Sequence, residues 1–232
     1  MDTRYNILYF PNNVDIRLCP KNATVSLKTA WYFTKEHESV YLKPNGSLNC
    51  PIGEAYRQVT VEKLSSYRNF PFRKDSIKIA IKRDPVERFL SAACYYTHLQ
   101  KVYNNHLYSK KHYNVNFIQT NKELPIYPKE EFTSVNHIIE ALESGIIKDV
   151  HFYSQSYYLG HPDDYDYVFN INDLSPLWDF LSDNCNPRNK LTPEDLKRNV
   201  TKKNLEFKHT ASEKDKELIR EFFEKDYRRG WC

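Results

Sequence analysis

The hydrophobic and polar positions along the chain follow two periods, one typical of strands and one typical of helices. Apolar residues alternate with polar ones in three short runs, which predict β-strands: VDIRLC (14–19), SIKIAI (76–81) and YDYVFNI (165–171). Apolar residues recur at helical spacing in five segments, which predict helices: 26–34, 84–97, 133–145, 175–183 and 212–223. Because strands and helices alternate, we expect an α/β fold in which helices flank a central, mainly parallel sheet.

The helix predicted after the second of these strands has a clear start but an unexpected set of charges. Asp84 suits the N-cap and Pro85 suits the first helical position. A helix N-terminus carries about half a positive charge, yet three cations surround this one: Lys82, Arg83 and Arg88. At about 100° per residue, Arg88 lies opposite the apolar face. The pattern indicates an anion site, with solvated surface charge as the alternative interpretation.

A second group of cations accompanies the helix that follows the first predicted strand. The segment PKNATVSLK (20–28) has Lys21 in its loop and Lys28 within the helix. The Walker A pattern GxxxxGK[ST] is absent, and Asn22 and Ala23 stand where such a loop has glycine. Backbone N–H groups and Lys21 could still bind a phosphate-like group. Because ligands bind beyond the carboxyl ends of the strands in such sheets, the two sites suggest one ligand with an anion at each end.

Both cationic segments resemble motifs of the PAPS-dependent sulfotransferases, where PAPS is 3′-phosphoadenosine-5′-phosphosulfate. PKNATVSLK is similar to the family's 5′-phosphosulfate loop, and RDPVERFLS (83–91) is similar to its 3′-phosphate motif, RDPxxRxxS. Three later blocks resemble elements of the carbohydrate sulfotransferases in the same order: HFYSQ (151–155), YDYVFNINDL (165–174) and LIREFFEKDY (218–227). The pairing of the first two motifs is the most specific part of the resemblance.

The resemblance implies a P-loop-like sheet, a single sulfotransferase domain over residues 1–232, PAPS as donor and its desulfated form, PAP, as product. It assigns Arg83 and Ser91 to the binding of the 3′-phosphate. It assigns six loop residues to the binding of the 5′-phosphosulfate: Lys21, Asn22, Ala23, Thr24, Val25 and Ser26. Val25 departs from the family, which commonly has Thr there, and Thr24 is the substitute hydroxyl. The implied acceptor is a hydroxyl group, with a carbohydrate as the family expectation.

Sulfuryl transfer, by analogy with phosphoryl transfer, depends mainly on positioning and on stabilising the departing charge. We expect Lys21 to stabilise the leaving group. The family draws its general base from a Glu or His between the two motifs, and Glu54 is our choice there. A strand through residues 40–42 would return the chain to the ligand edge just before it. His151 is the other candidate base. No metal is expected, because no His/Asp/Glu cluster has ligand spacing.

Composition leaves a second class of function open. The chain has 232 residues, a net charge of +4 and 18 tyrosines. Aromatic and basic residues alternate over 95–129, which is also a pattern of non-catalytic modules that bind nucleic acid or another anionic polymer. The small net charge argues against a dedicated nucleic-acid binder. In the enzyme interpretation, residues 104–131 form an acceptor-binding insertion. A P-loop kinase is disfavoured, because the Walker A motif is absent.

Three features of the sequence bear on the compartment. No apolar run approaches the length of about 18 residues that a transmembrane helix needs, so no membrane segment is expected. A glycan on the sequon at Asn22 would block the donor loop, and the five cysteines show no paired spacing. These features favour the cytoplasm, with a Golgi anchor trimmed from the chain as the alternative.

Overall fold

A computed structural model of the protein describes residues 7–24, 26–27, 30–31, 72–104, 132, 134–147, 149–185 and 211–232. Its sheet has four strands in the order β1-β2-β3-β4: β1 (Ile7–Phe10), β2 (Val14–Arg17), β3 (Ile77–Lys82) and β4 (Tyr167–Asn170). The pairs β2–β3 and β3–β4 are parallel, with Val14 opposite Ile77 and Ile79 opposite Tyr167. The predicted α/β class and mainly parallel sheet are therefore confirmed.

The strand β1 was not predicted from the sequence. It pairs antiparallel with β2 through a tight hairpin that places Phe10 opposite Val14. Two consecutive turn residues, Asn12 and Asn13, have positive φ of 52° and 62°, a conformation that asparagine tolerates better than most residues. The run ILYF is four apolar residues without alternation, and a pattern of that kind does not distinguish a strand from a buried helical turn.

Six helices have defined bounds among the described residues: α1 (Pro85–Asn104), α2 (Val135–Glu143), α3 (Gln155–Leu159), α4 (Ser175–Cys185), α5 (Glu213–Phe222) and α6 (Glu224–Arg228). Residues 24, 26, 27, 30 and 31 are also helical, as expected for the segment after β2. Asp84 accepts a bond from the backbone N–H of Glu87 at 3.0 Å, which confirms it as the cap of α1. A capping box of Ser212 and Asp215 forms at the start of α5, where the sequence predicts a helix from residue 212.

The chain divides into two compact units. The sheet unit comprises the described residues within 1–83, 154–200 and 228–232, and the helical unit comprises those within 84–153 and 201–227. In the sheet unit, β1 to β3 pack against Leu27 and Trp31 and against Leu177 and Trp178 of α4. In the helical unit, the core joins α1, α2 and α5. The prediction of a single domain stays a prediction, and the predicted insertion lies, apart from its first residue, outside the described residues.

The longest described helix, α1, has 20 residues and would be about 30 Å long at 1.5 Å per residue. Across the described part of the chain, no helix is both long enough and apolar enough to cross a membrane.

Candidate functional site

The loop after β2 and the residue after β3 lie at the same edge of the sheet. The two strands are parallel neighbours, so their carboxyl ends meet at one edge. Nη1 of Arg83 donates a hydrogen bond to the carbonyl oxygen of Lys21 at 2.9 Å. The structure thus joins two segments that the sequence separates, one from PKNATVSLK and one from RDPVERFLS.

The backbone of this loop is tightly wound and strained. Lys21 and Ala23 have φ of 69° and 54°, which places two non-glycine residues in the left-handed region. The carbonyl of Cys19 accepts bonds from the backbone N–H of Asn22 at 3.1 Å and from the hydroxyl of Thr24 at 2.8 Å. Turns that contain left-handed residues form the backbone concavities that bind anions, and strain of this kind concentrates at functional sites. The loop geometry therefore suits a phosphate-like group.

The side chain of Asn22 faces the sheet. It is 1% exposed, and its Nδ2 donates to the carbonyl of Ile81 at 2.7 Å and to Oε1 of Gln155 at 2.6 Å. Both amide protons are thus used inside the fold, and the backbone N–H of Asn22 bonds Cys19, so each N–H group of this residue already has a partner within the protein. The same Nδ2 atom would carry a glycan in the NAT sequon. A glycan at Asn22 is therefore incompatible with this fold.

The other predicted loop residues differ in what they can offer. Lys21 is half-buried, and its carbonyl holds Arg83. Ser26 is helical and only 7% exposed. Thr24 donates its hydroxyl proton to Cys19, so a ligand would meet that hydroxyl as an acceptor. Val25 lies outside the described residues. Lys21 and the loop backbone are therefore the groups of this loop best suited to bind an anion.

The three cations near the start of α1 have different hydrogen-bond partners. Lys82 donates its ammonium to the carbonyl of Cys232, while Arg83 bonds the loop. Arg88, in the helical unit, is fully buried, and donates to the carbonyl of His151 at 3.1 Å and to that of Tyr153. The expectation that Arg88 lies on the polar side of α1 is wrong. Its guanidinium instead satisfies these two backbone carbonyls, and no local sequence pattern predicts such an arrangement.

Ser91, predicted to contact the 3′-phosphate, lies in the second turn of α1 and is half-buried within the helical unit. Arg83 belongs to the sheet unit. The predicted joint role of Arg83 and Ser91 stays a prediction.

The helical unit contains a histidine paired with a buried carboxylate. Nδ1 of His151 lies 2.6 Å from Oδ1 of Asp149, which also accepts the backbone N–H of His151 at 2.8 Å. The Asp149 side chain is 7% exposed and the His151 side chain is 29% exposed. A carboxylate that accepts the Nδ1 proton favours the tautomer in which Nε2 is the acceptor nitrogen. This is the arrangement by which a carboxylate orients a general base.

Two aromatic residues of α1 adjoin this pair. The ring of Tyr95 lies 5.0 Å from that of His151, which restricts the orientation of the imidazole. Burial, with a further contribution from the negative charge of Asp149, raises the pKa of Tyr96 to about 12. Asp149 therefore acts on two groups of this region.

Asp149 was not identified from the sequence. The only available signal was the spacing DVH (149–151), which is common in proteins and carries little information by itself. Glu54, the base favoured from the sequence, lies outside the described residues and stays a prediction. Of the two predicted bases, His151 is the one for which the structure describes an orienting partner.

Within the described ranges, no group of three or more His, Cys, Asp and Glu side chains is placed to hold a metal ion. Comparisons of the chain with protein-family models, with curated proteins and with solved structures found no match. A functional proposal for this chain therefore depends on the geometry of the loop after β2 and on the His151–Asp149 pair.

Proposed function

We propose that the protein is a PAPS-dependent sulfotransferase that transfers a sulfuryl group to a hydroxyl acceptor on a carbohydrate. The observation that carries the proposal is the 2.9 Å hydrogen bond from Arg83 to the carbonyl of Lys21. It joins two cationic motifs separated by 62 positions, at the sheet edge where α/β proteins bind ligands. A P-loop-like arrangement of sheet and loop belongs to the same proposal.

The donor would be held at its two anionic ends. The loop Lys21–Ser26 takes the 5′-phosphosulfate through its backbone and the Lys21 ammonium. Arg83 and Ser91 take the 3′-phosphate. A guanidinium carries five N–H donors in a planar fork, and the bond to the Lys21 carbonyl uses one of them. That bond also fixes the position of the side chain, which lowers the entropy lost when a phosphate binds.

In the transfer step, the acceptor oxygen forms a bond to sulfur while the bond from sulfur to the 5′-phosphate oxygen breaks. The bonding electrons stay with that oxygen, and PAP leaves. Lys21 stabilises the charge that develops there. His151 accepts the hydroxyl proton at Nε2, and Asp149 stabilises the resulting imidazolium. Glu54 is the alternative base that the sequence suggests.

A transfer assay tests this proposal. The protein is incubated with PAPS labelled in its sulfate group and with a panel of glycans, and labelled product is separated by chromatography. We expect transfer to at least one glycan, strongly reduced by Arg83→Ala. Absence of transfer to every acceptor, together with absence of PAP binding, contradicts the proposal. Binding of nucleic acid or heparin without any response to PAP would instead indicate a binding module.

We further propose that the protein acts in the cytoplasm. The buried Asn22 amide supports this location, because a glycan there is incompatible with the fold. Intact-mass measurement of the natively produced protein tests it: we expect no N-glycan, and a glycopeptide that contains Asn22 would contradict it.

A further inference from the structure

Gln155, the first residue of α3, is the centre of a buried hydrogen-bond network in the sheet unit. Its side chain is 0% exposed. Its Oε1 accepts from the backbone N–H of Arg83 at 3.0 Å and from Nδ2 of Asn22 at 2.6 Å. Its Nε2 donates to the carbonyl of Arg83 at 2.7 Å and to that of Trp231 at 3.1 Å. All four bonding positions of one amide are thus used, and they connect three segments of chain.

Asn22 extends this network into the donor loop. Besides Gln155, it bonds the carbonyl of Ile81 near the end of β3, so one side chain attaches the loop to two points of the unit. Its neighbours Lys21 and Ala23 both have left-handed backbones. Such conformations are unfavourable for non-glycine residues and persist only where the surroundings impose them. The buried amide pair Asn22–Gln155 supplies that constraint.

We propose that Asn22 and Gln155 are positioning residues of the donor loop. They hold the left-handed turn in its binding conformation and fix the backbone on both sides of Arg83, without contacting the donor themselves. This inference rests on the proposed function, since the donor loop is defined by it. It also gives Trp231 a role, because the carbonyl of this fully buried residue is one of the groups that orient Gln155.

Two variants and one control distinguish positioning from general stabilisation. Gln155→Met keeps the side-chain volume and removes all four bonds, and Asn22→Ser keeps one hydroxyl donor and is the milder change. The control is Asn13→Gly. Asn13 also bonds backbone carbonyls through its amide, among them Asp75 at 2.7 Å, but it precedes β2 whereas the loop follows it. Glycine tolerates the positive φ of this position.

The first measurement is amide hydrogen exchange, which needs no ligand. The reporters are the backbone amides of Asn22 and Leu27, which bond Cys19 and Ala23 across the loop. We expect exchange there to accelerate about ten- to a hundredfold in Gln155→Met and less in Asn22→Ser, with the amides of residues 79–81 unchanged. Unchanged loop exchange, or equal acceleration in loop and strands, overturns the proposal. If Gln155→Met does not fold, the exchange rates of the loop and strand amides in Asn22→Ser test the proposal by the same criteria.

The second measurement is PAP affinity by calorimetry. We expect Kd to rise about tenfold in Gln155→Met and to stay within about twofold in Asn13→Gly. The double variant Asn22→Ser/Gln155→Met should weaken binding by less than the two single effects combined, because the Asn22–Gln155 bond is lost in both single variants. A wild-type protein that binds PAP, with variants that bind it equally well, overturns the positioning role. If the wild-type protein does not bind PAP, the proposed function is contradicted. The amide hydrogen exchange of the loop then tests the positioning role by itself.

Discussion

Replacement of His151 by asparagine removes the proposed base while it preserves the hydrogen bonds around it. In His151→Asn, the amide Nδ2 can occupy roughly the place of Nδ1 and donate to Oδ1 of Asp149. The backbone N–H that bonds Asp149 at 2.8 Å and the carbonyl that accepts from Arg88 at 3.1 Å are both retained. The substitution therefore removes Nε2 and the ring contact with Tyr95 while it preserves the local hydrogen bonds.

The magnitude of the expected effect follows from what is removed. Loss of a general base lowers kcat by about 10²- to 10⁴-fold. The lost ring contact affects stability by about 1 kcal/mol, which is too little to unfold a typical domain. We expect kcat to fall by at least about 10²-fold while PAP affinity changes less than about twofold.

The assay is steady-state sulfuryl transfer across pH, with PAP calorimetry and thermal unfolding on the same samples. Asp149→Asn is the companion variant, because it removes the charge that stabilises the imidazolium while nearly keeping the side-chain shape. Glu54→Gln is the competing variant. A His151→Asn enzyme with near-normal kcat, alongside a nearly inactive Glu54→Gln enzyme, would refute the assignment and make Glu54 the base.

Three further predictions concern other residues. Arg83→Ala should weaken PAP binding about ten- to a hundredfold, the effect of about 1.5–3 kcal/mol for a charge-assisted bond, and equal affinities by calorimetry would contradict this. Lys21→Ala should lower kcat more than donor affinity, because its charge acts mainly on the transition state; a rise in KM alone would make it a binding residue. The pKa of Tyr96 rises from 10.0 to about 12 through burial, so the folded state retains this proton when the unfolded state has lost it. The unfolding free energy should therefore decrease as pH rises above about 10, and less steeply in Tyr96→Phe; parallel pH profiles in denaturant titrations would contradict the assignment.

Local signals predicted most of the described elements correctly. The alternation in SIKIAI corresponds to β3, and the Asp84–Pro85 pair marks the start of α1. The capping box at Ser212 depends on residues three positions apart, which sequence shows directly. These elements could be predicted because the interactions that determine them lie within a few residues of one another.

The features that were missed depend on contacts between distant residues. The bond from Asn22 to Gln155 spans 133 positions, and the bond from Gln155 to Trp231 spans 76. The burial of Arg88 depends on carbonyls more than 60 positions away. Helical periodicity predicted a polar face for Arg88, because a periodicity argument assumes that every charged side chain is exposed to solvent. A single sequence contains no signal that reports such pairings.

Similar reasoning applies to the donor loop. The sequence predicted a turn that binds an anion, but it assigned Asn22 to the ligand. The structure turns the Asn22 side chain towards Ile81 and Gln155, and its backbone N–H bonds Cys19. The structure confirms a turn at this position, and the anion site in it stays a prediction. The orientation of the Asn22 side chain could not be predicted because it depends on the neighbouring strand.

Calorimetric comparison of PAP with AMP tests the proposed function most directly. The two nucleotides share the adenosine and the 5′-phosphate and differ only in the 3′-phosphate, which Arg83 and Ser91 are proposed to bind. A charge-assisted contact to that group should make PAP bind at least about tenfold more tightly than AMP, and Arg83→Ala should remove most of the difference. Equal affinities for PAP and AMP in the wild-type protein, or a PAP preference that survives Arg83→Ala unchanged, would contradict the assignment of this edge of the sheet as a PAPS site.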